Sequence, residues 1–95
     1  MATYVLFTKL GTESFKTPEQ FRALAQRVAA RVRVESPGVQ WKDSYAVMGR
    51  FDIVDIVEAS SASDVERAAM IIRSEAQATT ETMHATPWQE FLKSL

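Results

Sequence analysis

The stretch Tyr45-Ala46-Val47-Met48-Gly49-Arg50-Phe51-Asp52-Ile53-Val54-Asp55-Ile56-Val57-Glu58-Ala59 constrains the fold most. It reads as two β-strands joined by a tight turn. Glycine first in a two-residue loop, Gly49-Arg50, is the pattern of a type II′ hairpin. The second strand is apolar on both faces apart from one internal acid, Asp55. Such a strand needs cover on both sides, and in a chain of 95 residues one layer of helices covers only one. The expectation is that the other face binds something, by default a second copy of the chain.

A chain this short forms one domain and buries roughly 60–70% of its unfolded surface. Oligomerisation is a direct way to enlarge so small a core. The net charge of −1 gives no electrostatic footprint for nucleic acid. Arg22, Arg27, Arg31 and Arg33 cluster locally, and Arg27 and Arg31 are i,i+4 neighbours on a helix. The plain reading of that cluster is a solvated helix face, and the sharper one is an anion or partner patch. With no cysteine, disulfides, thiolate metal sites and cysteine nucleophiles are excluded. Residues 1–20 lack a basic start followed by an apolar run, and no run approaches the roughly 20 residues of a membrane span. The expected setting is cytoplasmic, away from any membrane.

The rest of the chain supplies two more strands and three helices. Ala2 to Leu10 is a β-rich opening strand. Thr17-Pro18-Glu19-Gln20 announces a helix: Thr17 caps, Pro18 suits the first turn, and Gln20 closes a capping box. Phe21, Leu24, Ala25, Val28 and Val32 recur at helical spacing as one buried stripe. Ser36-Pro37-Gly38 stops that helix. Val39 to Met48 and Phe51 to Ala59 form the hairpin. Ser60 to Ser63 is a linker, and Ser63 with Glu66 is a second capping box. Val65, Ala68, Ala69, Ile72 and Ala76 form the second helical stripe. Ala78 to Ala85 is a fourth strand. Thr86-Pro87-Trp88-Gln89 repeats the helix-start signal before a short helix carrying Trp88, Phe91, Leu92 and Leu95.

The fold class is therefore α+β, a ferredoxin-like βαββαβ arrangement with a four-stranded antiparallel sheet and a short C-terminal helix. Right-handed crossovers put both long helices on one face of a sheet ordered 4-1-3-2. A two-residue loop without a bulge opposes Met48 to Phe51, Ala46 to Ile53 and Ser44 to Asp55. Tyr45, Val47, Val54 and Ile56 make the more apolar set and are expected beneath the helices. Asp55, Ser44, Lys42, Ile53 and Val57 are expected on the open face. In the fourth strand, Met83 and Ala85 are expected to face the helices, with Thr80, Thr82 and His84 on the open face.

The chain at this point resembles the GYD domain family. Gly49-Arg50-Phe51-Asp52 is similar to its Gly-x-Tyr-Asp signature. Ala2-Thr3-Tyr4-Val5, Tyr45, the apolar run Ile53 to Ala59, Thr80-Glu81-Thr82-Met83 and Phe91 match in order and spacing across nearly all of residues 1–95, a single GYD-like domain. The resemblance implies a ferredoxin-like, dimeric α/β-barrel type of fold and little about activity. Phe51 stands where the signature has tyrosine, so no role for that phenol carries over. Asp55 stands where the family has an apolar residue, and His84 falls where no fixed histidine is expected.

Candidate chemistry is sparse. His84 is the single histidine and the one side chain with an ordinary pKa near neutrality. It is a low-rank candidate base or ligand contact, against the plainer reading of a satisfied surface residue. Asp55 is a candidate acid, costly if buried alone and satisfiable by Ser44 and Lys42. Two strand spacings, roughly 10 Å, separate Asp55 from His84, so they form no dyad but could flank a small ligand. Gly49, Phe51 and Asp52 make a structural turn motif, with the Asp52 carboxylate expected to accept turn amides. Trp41, Ser44, Asp55, Thr82 and His84 form the expected ligand-binding set. No metal site and no cofactor is implied. The expected function is an oligomeric small-molecule-binding or assembly module working through the open sheet face, with itself as partner. The alternative is a cofactor-independent oxygenase or isomerase with its pocket on that face.

Overall fold

The computed structural model describes residues 1–95. The elements run β1 (Ala2–Lys9), α1 (Pro18–Glu35), β2 (Val39–Ala46), β3 (Ile53–Ala59), α2 (Ala62–Ala76), β4 (Thr79–Ala85) and α3 (Trp88–Lys93). The sheet is antiparallel and ordered β2-β3-β1-β4, so β1 lies between β3 and β4 as the sequence predicts.

Local chemistry sets the boundaries. Thr17 caps α1 by accepting from the Gln20 amide at 3.1 Å, and Pro18 follows in the first turn. The Gln20 side chain reaches past the cap to the Lys16 amide at 2.8 Å. Ser36 ends α1, and its buried hydroxyl donates to the Asp64 carbonyl at 2.7 Å, tying the end of α1 to the start of α2. The second helix starts before the expected Ser63–Glu66 box: Ser61 is the cap, accepting from the Ser63 amide at 3.2 Å. Gln77 closes α2 in the left-handed region at φ 50°, usually glycine's role.

The hairpin keeps its expected pairs, Ala46 opposite Ile53 and Ser44 opposite Asp55. Gly49 takes φ 138°, a conformation side-chain-bearing residues rarely adopt. Further along β2 the register shifts between Trp41 and Asp43. Lys42 is the extra residue of a β-bulge, which was not expected. One extra residue turns all those before it to the opposite face. Trp41 therefore pairs with Val57, where an unbroken ladder would have put Lys42.

The faces are the reverse of the expectation. Leu6, Val57 and Ala59 are fully buried and pack on Val65, Ala69 and Ile72 of α2. Side chains alternate along a strand, so Ile53, Asp55 and Val57 look toward the helices together. Leu6 pairs with Asp55 and Thr82, and Tyr4 pairs with His84, so β4 presents Thr80, Thr82 and His84 on that side too. The uncovered face carries Val5, Phe7, Val54, Ile56, Tyr45 and Met83. Assigning the more apolar set to the helices fails because both sets are apolar at the centre. Phe51 does reach the uncovered face, where its ring meets Phe7 at 5.0 Å.

Candidate functional site

The two long helices treat the sheet differently. In α1 the buried side chains are Leu24 and Val32, and both pack sideways: Leu24 with Ala76 and Ala78, Val32 with Ala68 and Ile71. Beneath α1 a cavity of about 520 Å³ opens between the helix and the β2–β3 side of the sheet. Its walls are mostly aliphatic, with Phe21 on the helix side and Trp41 on the sheet side. Such volumes, roughly 300–1,000 Å³, are typical of small-molecule sites.

The sheet floor carries a polar cluster. Asp55 is 6% exposed and lines the cavity. Trp41 Nε1 donates to Asp55 Oδ1 at 2.9 Å, and Ser44 Oγ donates to the same oxygen at 2.5 Å. Asp55 Oδ2 takes neither bond. The β-bulge makes this possible, since without it the Trp41 side chain would leave the opposite face. Lys42, expected to neutralise Asp55, forms no ion pair with it. Thr8 joins the cluster from β1, two residues after Leu6 and diagonal to Asp55 across the ladder. It is 2% exposed, lines the cavity, and its Oγ1 has no hydrogen-bond partner. Of the groups lining the cavity only Asp55 and Arg33 carry charge.

Of the expected ligand-binding set, Trp41, Ser44 and Asp55 come together, on the helix side of the sheet. Thr82 and His84 lie outside the cavity on the edge strand β4. The His84 ring meets Tyr4 edge-on at 5.4 Å. Asp55 and His84 are two strands and two residues apart, roughly 12 Å by ladder geometry, with Tyr4 and Leu6 between them. His84, the base named in the oxygenase or isomerase reading, therefore lies outside the cavity. Asp52 is structural, but its partner is not the turn: Oδ2 accepts from the Leu10 amide at 2.8 Å, closing the end of β1 on the hairpin. No group of three or more His, Cys, Asp or Glu side chains comes together to hold a metal.

Thr8 escaped the sequence reading. Its one signal was parity with Leu6, and that becomes informative only once the face under the helices is known. The cluster Arg27, Arg31 and Glu75 lies on the outer seam between α1 and α2. Arg27 Nε meets Glu75 at 3.1 Å and Arg31 meets it at 2.9 Å, while Arg31 also pairs with Glu35. The hydrogen bonds from Arg27 and Arg31 hold the Glu75 carboxyl below its ordinary range. Those to Glu35 and Glu75 raise the Arg31 guanidinium. No helix is long and apolar enough to cross a membrane.

The GYD domain profile matches residues 4–95, and the chain belongs to that family. It is similar to the glutamine synthetase and cystathionine beta-lyase binding protein of Thermus thermophilus. The two are 30% identical over 99 aligned positions, spanning 100% of this chain and 99% of the relative. Among solved structures, a hypothetical protein of Pyrococcus horikoshii superposes with a TM-score of 0.57 at 22% identity, over 92% of each chain. The leucine response regulatory protein of Mycobacterium tuberculosis gives 0.62 at 17% identity, over 90% of this chain. This chain spans 51% of that protein's length. A de novo designed protein of ferredoxin fold superposes with a TM-score of 0.52 at 12% identity, over 90% of this chain and 85% of that one, in keeping with the ferredoxin-like element order and sheet.

Proposed function

We propose that this member of the GYD domain family binds a small molecule in the space between α1 and the sheet. One observation carries the reading: an apolar cavity whose floor holds a buried carboxylate, Asp55, with one oxygen free of any hydrogen bond. Buried polar groups are ordinarily satisfied, and leaving one unpaired costs about 1–3 kcal/mol, so a carboxylate oxygen left free at the cavity floor favours a guest that pairs with it. Native mass spectrometry of gently purified protein tests this together with an Ala29→Trp variant. Ala29 lines the cavity from α1, and an indole there fills it. The expected result is an adduct mass on the parent chain that the variant lacks. An adduct retained equally by the variant, or no adduct even after incubation with a fragment mixture, would overturn the reading.

A second reading concerns assembly and rests on the uncovered sheet face. Val5, Phe7, Val54 and Ile56 occupy its centre, and Tyr45 and Met83 flank them at 57% and 49% exposure. A contiguous apolar face of this kind marks an interaction surface. We propose that it pairs with a second copy of the chain, giving a dimer of the α/β-barrel type. The enzyme-binding name of the Thermus relative makes a protein partner a natural further use of such an assembly. Sedimentation at micromolar concentration should show a dimer that Val54→Glu converts to a folded monomer. A parent chain that sediments as a monomer would remove this reading and leave the cavity untouched.

A further inference from the structure

The polar floor of the cavity has a definite hydrogen-bonding sense. Indole nitrogen has one hydrogen to donate, and Trp41 gives its hydrogen to Asp55. A serine hydroxyl likewise has one, and Ser44 gives its own to the same oxygen. Both donors are thus spent on Oδ1. What remains open to the cavity is Asp55 Oδ2, which as a carboxylate oxygen only accepts; the partnerless Thr8 Oγ1 is itself buried out of reach of a guest. No cation contacts Asp55, and Arg33, the other charged residue of the lining, lies on the exposed side of α1. A guest that brings a hydrogen completes the site. A guest that brings a carboxylate sets two like charges together away from water.

The walls define the body of that guest. The space is a slot between two layers, α1 above and the sheet below. Its lining is mostly aliphatic, with Phe21 on the helix side and Trp41 on the sheet side. A flat ring system fills such a slot with the least loss of conformational freedom.

We infer that the cavity selects planar aromatic molecules carrying a hydroxyl or ring N–H over isosteric molecules without a donor and over aromatic carboxylates, with Asp55 Oδ2 accepting the donor. This rests on the ligand-binding reading above, and it is a statement of specificity that can fail separately.

The test uses the full chain and three probes of matched shape: indole, benzofuran and benzofuran-2-carboxylate. Trp41 and Trp88 are the two tryptophans, and Trp88 sits exposed on α3 outside the cavity. A Trp88→Phe variant therefore identifies the Trp41 side-chain N–H signal in a proton–nitrogen correlation spectrum. All three probes are titrated against that signal. The expected order is indole tightest, by about tenfold or more over benzofuran, as for a hydrogen bond to a charged acceptor, with the carboxylate weakest. In Asp55→Asn the carbonyl oxygen can keep the bonds from Trp41 and Ser44, while an N–H replaces the free acceptor. Indole's advantage over benzofuran should vanish there.

Equal affinity of indole and benzofuran for the parent chain would overturn the inference while the cavity reading stands. Persistence of indole's advantage in Asp55→Asn would also overturn it, since another group would then be reading the donor. If no probe moves the Trp41 signal at millimolar concentration, both readings fall together. The parent-chain comparison decides the matter even if Asp55→Asn does not fold.

Discussion

The two long helices lie on the same face of the same sheet, yet only one of them builds the core. In α2 six side chains are buried in 15 residues; in α1 two are buried in 18. The difference is in side-chain size and direction. Across α2, Ala69 lets the helix backbone come down onto the sheet, where Val65 and Ile72 meet Leu6 and Val57. Across α1, the buried Leu24 and Val32 prop against α2. The helix is held from the side and left open beneath. Stability and binding capacity are thus divided between two halves of one layer. The half that packs well has no room for a guest, and the half with room contributes little to folding.

Truncation should expose that division most strongly. Leu6→Ala removes a fully buried side chain under α2 and should cost about 2–5 kcal/mol in denaturant unfolding. Val28→Ala, on the cavity side of α1, should cost less, about 1–2 kcal/mol, because Val28 packs on the core clusters while only half-buried itself. Equal losses would mean that the space beneath α1 is closed in solution and the contrast is wrong.

Enlargement should run the other way. Ala69→Leu pushes three extra carbons into a filled layer, and overpacking of this kind costs about 1–3 kcal/mol. Ala29→Leu pushes the same group into the cavity and should stay within about 0.5 kcal/mol of the parent. Chemical unfolding of the pair measures both. A large loss from Ala29→Leu would show that α1 lies closer to the sheet than the cavity implies.

A subtler change sharpens the contrast within the cavity floor. Thr8→Val keeps the shape of the side chain and removes a buried hydroxyl that has no partner. In the empty protein this should be neutral or raise stability by up to about 1 kcal/mol, because an unmet desolvation cost disappears. A clear loss of stability would mean that an ordered water satisfies Thr8 in the resting protein.

What the sequence revealed follows the same division. The helical stripes, the strand order and the Ser44–Asp55 pairing were all legible, since each depends on local periodicity or on a turn of fixed length. The face on which the site lies was not. Its assignment required knowing which of two apolar sets the helices choose, and alternation alone leaves that choice open. Leu6 decides it, through a contact with Val65 and Ile72 that joins residues far apart in the chain. Trp41 was legible as an aromatic near the pocket but not as the partner of Asp55. Lys42 gives no local sign that it is a bulge, being neither glycine nor beside one.

The smallest expected effect concerns how α1 is held in place. Its ionic tether to α2 is Glu75, which accepts from Arg27 and Arg31. The folded state holds the Glu75 carboxyl below its ordinary value of 4.5, so the group favours folding wherever it is ionised in both states. That contribution is fully present above the ordinary carboxylate range. It fades as the pH falls through the depressed folded value, where the carboxyl takes up its proton. The partners are solvated, so the effect on melting temperature should be small and should shrink further as salt screens the pairs. Glu75→Gln should therefore melt slightly below the parent at pH 7 in low salt and together with it in strong acid. The informative readout is local. Amide exchange in α1 should quicken in Glu75→Gln while β1 and β3 stay protected, because the tether holds the helix over the cavity and not the sheet that forms its floor. If β1 and β3 quickened equally, α1 and the sheet would open as one unit, and the two halves of the layer would be less independent than their packing indicates.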